Sequence, residues 1–158
     1  MLKKLGFTLE KKIEEDGSLS RVYFITEDHL NINSLTHAFF NLFTNKYGLS
    51  PSLDDIHHLC LPETIIIKKI GDIEEIYNLE TFIKPRREIL SNGTLTDFEE
   101  YETSDGTKVV GHIAQCYSKF KKRGYSCGEY FEGAGNKFFQ FIRTANGWKI
   151  SSVIWEDK

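Results

Sequence analysis

The chain has 158 residues, enough for one domain with a single hydrophobic core. Hydrophobic residues make up 40% and charged residues 27%, a balance that excludes a disordered or coiled-coil chain and leaves a folded mixture of helix and strand. The formal charge of -3 argues against a general nucleic-acid binder, which needs a basic face to neutralise phosphates.

The aromatic content is the unusual part, with 12 Phe, 7 Tyr and 2 Trp against a single Met. No run approaches the ~20 apolar residues of a membrane-spanning helix, so no membrane partner is expected. Glu10, Lys11 and Lys12 interrupt the start of the chain before any apolar stretch of a signal peptide develops. Cys60, Cys116 and Cys127 are odd in number and share no metal-ligand spacing, which fits a reduced, cytoplasmic protein. His57, His58 and Cys60 resemble a ligand group. Adjacent histidines point in different directions, however, and no second Cys/His pair follows, so neither a metal nor an organic cofactor is expected.

In chain order, residues 1–28 read as an N-terminal extension, most simply a β-hairpin around Asp16-Gly17 with Leu9 facing Phe24, Lys11 facing Val22 and Ile13 facing Ser20. A helix competes there, because Leu2, Leu5, Leu9 and Ile13 also fall near helical spacing. From His29 to Lys46, Leu35, Phe39, Leu42 and Phe43 form the apolar stripe of a first helix that Gly48 ends. Ser50-Pro51-Ser52 opens a short second helix with Asp54 and Asp55 in its first turn, closed by Pro62. Thr64 to Leu79 reads as two strands joined by Gly71-Asp72, a register that sets Lys69 opposite Glu74 and Lys68 opposite Glu75.

A third helix is predicted from Glu80 to Ser91, with Phe82, Arg86, Ile89 and Leu90 on one face and Asn92-Gly93 as its stop. Strands follow at about 94–104, 108–120, 128–145 and 147–156, the last two joined by Asn146-Gly147. Read as a two-residue turn, that dipeptide sets Arg143 opposite Ile150, Phe139 opposite Ile154 and Phe138 opposite Trp155. Both faces of the pair are then apolar, unlike a sheet with one wet side. One face can take the helices and the other calls for a second copy of the chain, giving a homodimer through the sheet face. Gly133-Ala134-Gly135 beside Asn136 reads as a bulge. Lys119, Lys121, Lys122 and Arg123 read as a solvated hairpin tip.

The stretches Phe82-Ile83-Lys84-Pro85-Arg86-Arg87 through Gly93, Phe98-Glu99-Glu100-Tyr101-Glu102 and Gly111-His112-Ile113-Ala114 resemble the middle of SnoaL-like bacterial proteins. Gln140-Phe141-Ile142-Arg143-Thr144 with Gly147-Trp148-Lys149-Ile150 and Trp155-Glu156-Asp157 is similar to their final hairpin. The resemblance covers residues 29–158 and implies the α+β, cone-shaped, cystatin-like or nuclear transport factor 2-like fold, with three helices packed on a curved, mostly antiparallel sheet. It also implies an apolar pocket roofed by the helices. Its members include ketosteroid isomerases, polyketide cyclases, dehydratases and purely binding or assembly domains, so fold alone does not choose among them.

Two functional readings stay open at this point. The chain is a small-molecule-binding protein, an isomerase, cyclase or dehydratase acting by cofactor-independent proton transfer on an apolar small molecule; or it is a non-catalytic dimeric binding or assembly module. For the first, His112 shares strand parity with Val110, Ala114 and Cys116 and could serve as a base. Glu102 could serve as an acid of raised pKa. Tyr77, Gln140, Phe138 and Trp155 would line the pocket or polarise a carbonyl. Arg86 could anchor a carboxylate or phosphate, or pair with Glu100 or Glu102 to hold its helix over the sheet.

Overall fold

The computed structural model describes residues 7–15 and 18–158, with side chains from residue 26 onward. Strands β1 (Phe7–Glu15) and β2 (Ser18–Thr26) precede helix α1 (Glu27–Asn41), and a short 3-10 segment leads into α2 (Ile56–Leu59). Strands β3 (Cys60–Ile70) and β4 (Ile73–Tyr77), helix α3 (Leu79–Ser91) and strands β5 (Leu95–Val110), β6 (Ile113–Ser126), β7 (Glu129–Thr144) and β8 (Gly147–Asp157) complete the chain. β1 and β2 pair only with each other, while the other six form one sheet in the order β4-β3-β8-β7-β6-β5. All its neighbours are antiparallel except β3 and β8. Among the described residues no helix is long and apolar enough to cross a membrane.

Residues 7–15 and 18–26 form strands, not the competing helix. Leu9 pairs with Phe24 as the hairpin register requires, but irregularities then shift Lys11 onto Tyr23 and Ile13 onto Arg21. Asp16-Gly17, the expected turn, lies outside the described residues. Helix α1 starts where Thr26 accepts a hydrogen bond from the His29 amide, with Glu27 and Asp28 at the positive end of the helix. It stops at Asn41, earlier than its apolar stripe suggests. Asn45 explains this: its amide nitrogen donates to the Leu90 and Leu95 carbonyls and its oxygen accepts from the Phe98 amide, tying this segment to β5. Asn78 and Thr81 form a reciprocal cap on α3, and Pro85 sits inside that helix.

The β3–β4 register follows the charge pairs, with Lys69 opposite Glu74 and Lys68 opposite Glu75. Three other expectations are corrected. β5 runs unbroken through residues 104–108 and turns at Gly111-His112, where Gly111 alone takes a positive φ of 60°, as the first position of a type II′ turn demands. The β7–β8 turn is centred on Ala145-Asn146, neither with positive φ, and Gly147 follows at 96°. Gly147 therefore fills the bulge position after a type I turn, where the two-residue reading needed Asn146 at positive φ. Arg143 consequently meets Trp148, and a second irregularity between Gln140 and Phe141 brings Phe139 to Val153 and Phe138 to Ile154. Finally, Lys119–Arg123 lie within β6 and are paired on both sides, not at a hairpin tip.

The buried face of the sheet carries Cys116, Phe120, Phe139, Phe141, Ile150, Val153 and Trp155. Phe39 and Phe40 of α1 pack edge-on against Phe139, with ring centroids 5.3 and 6.0 Å away, and Phe82 of α3 meets Trp155 at 5.8 Å. Such edge-to-face contacts add directional preference to ordinary burial. The expected bulge at Gly133–Gly135 is absent, since both neighbouring strands stay in register there. These glycines serve close approach instead: a Cβ on Gly135 would lie 2.5 Å from the Glu156 carbonyl oxygen and 2.6 Å from the Phe120 ring. Gly135→Ala is therefore expected to destabilise the fold by about 1–3 kcal/mol, as overpacking does. Urea unfolding with an unchanged m-value would check it, and wild-type stability would contradict the close-approach explanation.

Candidate functional site

Between α3 and the buried face of the sheet lies a cavity of about 190 Å³, with Phe43, Phe82, Phe98, Phe131, Leu90 and Trp155 among its walls. Its unusual feature is charge. Arg86 of α3, Glu100 of β5, Lys122 of β6, Lys137 of β7, Asp157 of β8 and Lys68 of β3 all line it, four cations against two carboxylates.

Strand register brings these groups together. Glu100 faces Lys122 across β5–β6, Lys122 faces Gly133 across β6–β7, Gly135 faces Asp157, and Lys137 faces Trp155 across β7–β8. A Cβ on Gly133 would meet the Lys122 stem at 2.8 Å. The glycine thus lets that side chain lie across β7 and deliver its ammonium to Asp157, 2.9 Å away. Lys68 reaches the same Asp157 oxygen at 3.5 Å, while the other oxygen, Oδ1, is buried with no hydrogen-bond partner among the described residues.

Lys137 is the most enclosed of the set, its side chain only 4% exposed. Its ammonium donates to Glu100 and sits 4.5 Å from the Phe40 ring centroid, 4.6 Å from Phe120, 5.4 Å from Phe39 and 5.5 Å from Trp155. Burial lowers the Lys137 pKa from its usual value and Glu100 opposes that shift. Four ring faces and one carboxylate are what keep a charge tolerable at this depth.

Arg86 is held differently. Its guanidinium lies 3.8 Å from the centroid of Phe82 and within 6 Å of the Tyr77 and Trp155 rings. One N–H donates to the Phe82 carbonyl at 3.0 Å. Glu100 is engaged by Lys137 and Glu102 accepts from Ser118, so neither of the ion pairs expected for Arg86 forms. Among the described residues no carboxylate lies within 4.0 Å of this guanidinium. Burial lowers its pKa, with Tyr77 and the Glu100 charge opposing.

The structure brings Arg86 and Trp155 to the cavity, with Tyr77 beside Arg86; Tyr77 donates to Glu75, and its pKa is raised first by burial and then by that carboxylate. It does not bring the others there. His112 is exposed in the β5–β6 turn, because the chain reverses at the residue expected to lie mid-strand. Phe138 and Gln140 point to the opposite face of the sheet, Phe138 being 54% exposed, because the shifted β7–β8 register separates Phe138 from Trp155. Glu102 is outside the cavity lining, where partial burial raises its pKa and Ser118 opposes. Residue-by-residue reading missed Lys137, Lys122, Lys68 and Asp157. The one signal available was strand parity: Lys137 shares a face with Phe139 and Phe141 in the run Lys137-Phe138-Phe139-Gln140-Phe141.

Cys60 and Cys116 are buried and burial pushes both thiols up, Cys60 to about 12, while Cys127 is exposed and outside the cavity lining. Among the described residues no three His, Cys, Asp or Glu side chains form a metal-binding group, and His57 instead faces Glu80 at 3.2 Å.

A six-stranded curved sheet with helices on one face, enclosing a cavity, is the nuclear transport factor 2-like, cystatin-like fold. Solved structures bear this out. A conserved protein from Planctomyces limnophilus superimposes with a TM-score of 0.68 at 14% identity, covering 84% of this chain and 97% of that one. A putative calcium/calmodulin-dependent kinase II association domain from Exiguobacterium sibiricum gives 0.65 at 12% identity, covering 85% and 95%. A nuclear transport factor 2-like protein with a cystatin-like fold from Novosphingobium aromaticivorans gives 0.61 at 16%, covering 83% and 82%. Compared by sequence, the chain matches no family model and no curated protein.

Two outcomes test this description. Lys137→Met alone and Glu100→Leu alone should each cost about 3–5 kcal/mol, because each strands its partner's charge in a low-dielectric site. The double variant should be less damaged than the sum of the two, as a double-mutant cycle by urea unfolding would measure. Glu102 gives a pH dependence. Its folded-state pKa lies above the unfolded value of 4.5, so the native state binds the extra proton and stability falls as pH rises between the two. Glu102→Gln should therefore raise Tm at pH 7 and lose that advantage below pH 4; a lowered Tm at pH 7 would contradict the assignment.

Proposed function

We propose that the chain is a small-molecule-binding protein of the SnoaL-like type, and that its ligand occupies the cavity beneath α3. The observation that carries this reading is the set of charged side chains, buried Lys137 and five partly buried groups, that converge on an aromatic-walled hollow. An apolar filling of the same volume would be as stable or more so, whereas apolar walls with a few convergent polar groups are what ligand sites share. The volume is below the ~300–1,000 Å³ common for drug-sized ligands, which favours a compact molecule over an extended polycyclic one. An isomerase, cyclase or dehydratase using this cavity would move its proton on one of the titratable groups that line it, Glu100, Asp157 or a lysine, since His112 and Glu102 lie elsewhere. An NMR titration with small aromatic alcohols, acids and amines should shift the Trp155 indole resonance. No response at Trp155 to any of them would remove the support for a ligand site.

A second reading, a dimeric binding or assembly module, is favoured by the uncovered face of the sheet. There Phe138 pairs with Ile154 and stacks on Tyr117 at 4.9 Å, and Ile113 pairs with Ile142. All four aliphatic and phenyl side chains in those two pairs are exposed. A second copy would cover them, and the two readings are compatible because the faces are opposite. Light scattering should give a dimer at micromolar concentration, and Phe138→Glu should weaken association at least tenfold. A wild-type monomer would rule the assembly reading out.

A further inference from the structure

We infer that the cavity selects a small aromatic carboxylate, anchored through its carboxylate group by Arg86. This rests on the ligand-site reading of the same cavity and narrows it to a ligand class. The argument begins with the accounting of charge. Lys137 has Glu100, while Lys68 and Lys122 share Asp157 and keep about a quarter of their side chains in solvent, 27% and 23%. Arg86 is the lining cation with no carboxylate within 4.0 Å among the described residues, the Glu100 and Glu75 charges reaching it only from farther away. A largely desolvated guanidinium facing a half-open, aromatic-walled space gains from a counter-anion that water and ring faces only partly replace.

Its orientation says which anion. Stacked at 3.8 Å on Phe82 and bonded through one nitrogen to the Phe82 carbonyl, the planar fork leaves other N–H donors for an acceptor lying in its own plane. A carboxylate meets such a fork with two parallel hydrogen bonds. Arg86 offers one fork to one carboxylate, and the Glu100 and Asp157 carboxylates in the same lining oppose a second negative charge on the ligand. Phe43, Phe82, Phe98, Phe131 and Trp155 then surround the ligand body, which favours a flat ring over a flexible chain in about 190 Å³.

The test uses the full chain, with benzoate, benzyl alcohol and inorganic phosphate as probes and the Trp155 indole resonance as readout. Benzoate should bind wild type at least tenfold more tightly than benzyl alcohol. Arg86→Met should lose at least tenfold in benzoate affinity while binding benzyl alcohol as before. If that variant does not fold, Arg86→Lys, which keeps the charge but not the fork, should still weaken benzoate several-fold. Equal binding of benzoate and benzyl alcohol by wild type, or benzoate affinity unchanged in the arginine variant, overturns the inference and leaves the ligand-site reading standing. Phosphate displacing benzoate at matching concentration overturns the carboxylate class. Failure of all probes to move Trp155 defeats the ligand-site reading, and the inference with it.

Discussion

The ammonium of Lys137 sits on the buried face of the sheet, bonded to Glu100 and surrounded by Phe39, Phe40, Phe120 and Trp155. Around this charge the fold has to make two accommodations. Aromatic rings from α1 and from two strands, β6 and β8, turn their faces toward it, so the helices cannot settle onto the sheet as a continuous aliphatic layer. Glu100, on the outermost strand β5, must also lean inward over β6 to reach it. A hollow with charged and aromatic walls results where a sheet covered by Leu and Val would have closed.

The neighbouring ion pairs depend on the same architecture. Gly133 and Gly135 lie on either side of Ala134, two positions apart on one face of β7. Their missing side chains make room for the Lys122 stem and the Phe120 ring. Glycines that read as a bulge are in fact points of close packing beside the cavity. Asp157, near the end of β8, then draws in Lys122 and Lys68 from opposite sides of the sheet's centre. With Lys137 on Glu100 and with Lys68 and Lys122 sharing Asp157, Arg86 stands apart on the helical roof, held by a carbonyl and by rings.

The two faces of the sheet divide the possible roles. The inner face carries the cavity and every group capable of charge recognition within it. The outer face carries the exposed Phe138, Ile142, Ile154 and Ile113, the groups on which the proposed association rests. Solved structures of the same fold at 9–19% identity share the framework and leave the chemistry of the walls to each chain. That is the expected separation between a fold and the site built on it.

Much of the framework was legible in the chain itself. Helical stripes, capping residues and opposite charges across Gly71-Asp72 act locally, so their order and the β3–β4 register follow from short stretches of residues. The short patterns around Arg86, Glu100 and Trp148 also pointed to the correct fold. The site was only half legible. Both sides of β7 and β8 are apolar, and hydrophobic alternation therefore could not say which side faces the helices. The turn at Ala145-Asn146 and the irregularity at Gln140/Phe141 decided it, sending Phe138 and Gln140 outward and Lys137 inward. Composition and local pattern determined that this protein would be an aromatic-rich sheet with helices packed against it. Which lysine is buried, and that Arg86 has neither Glu100 nor Glu102 as its partner, was decided by tertiary structure, because those outcomes depend on contacts between strands and helix far apart in the chain.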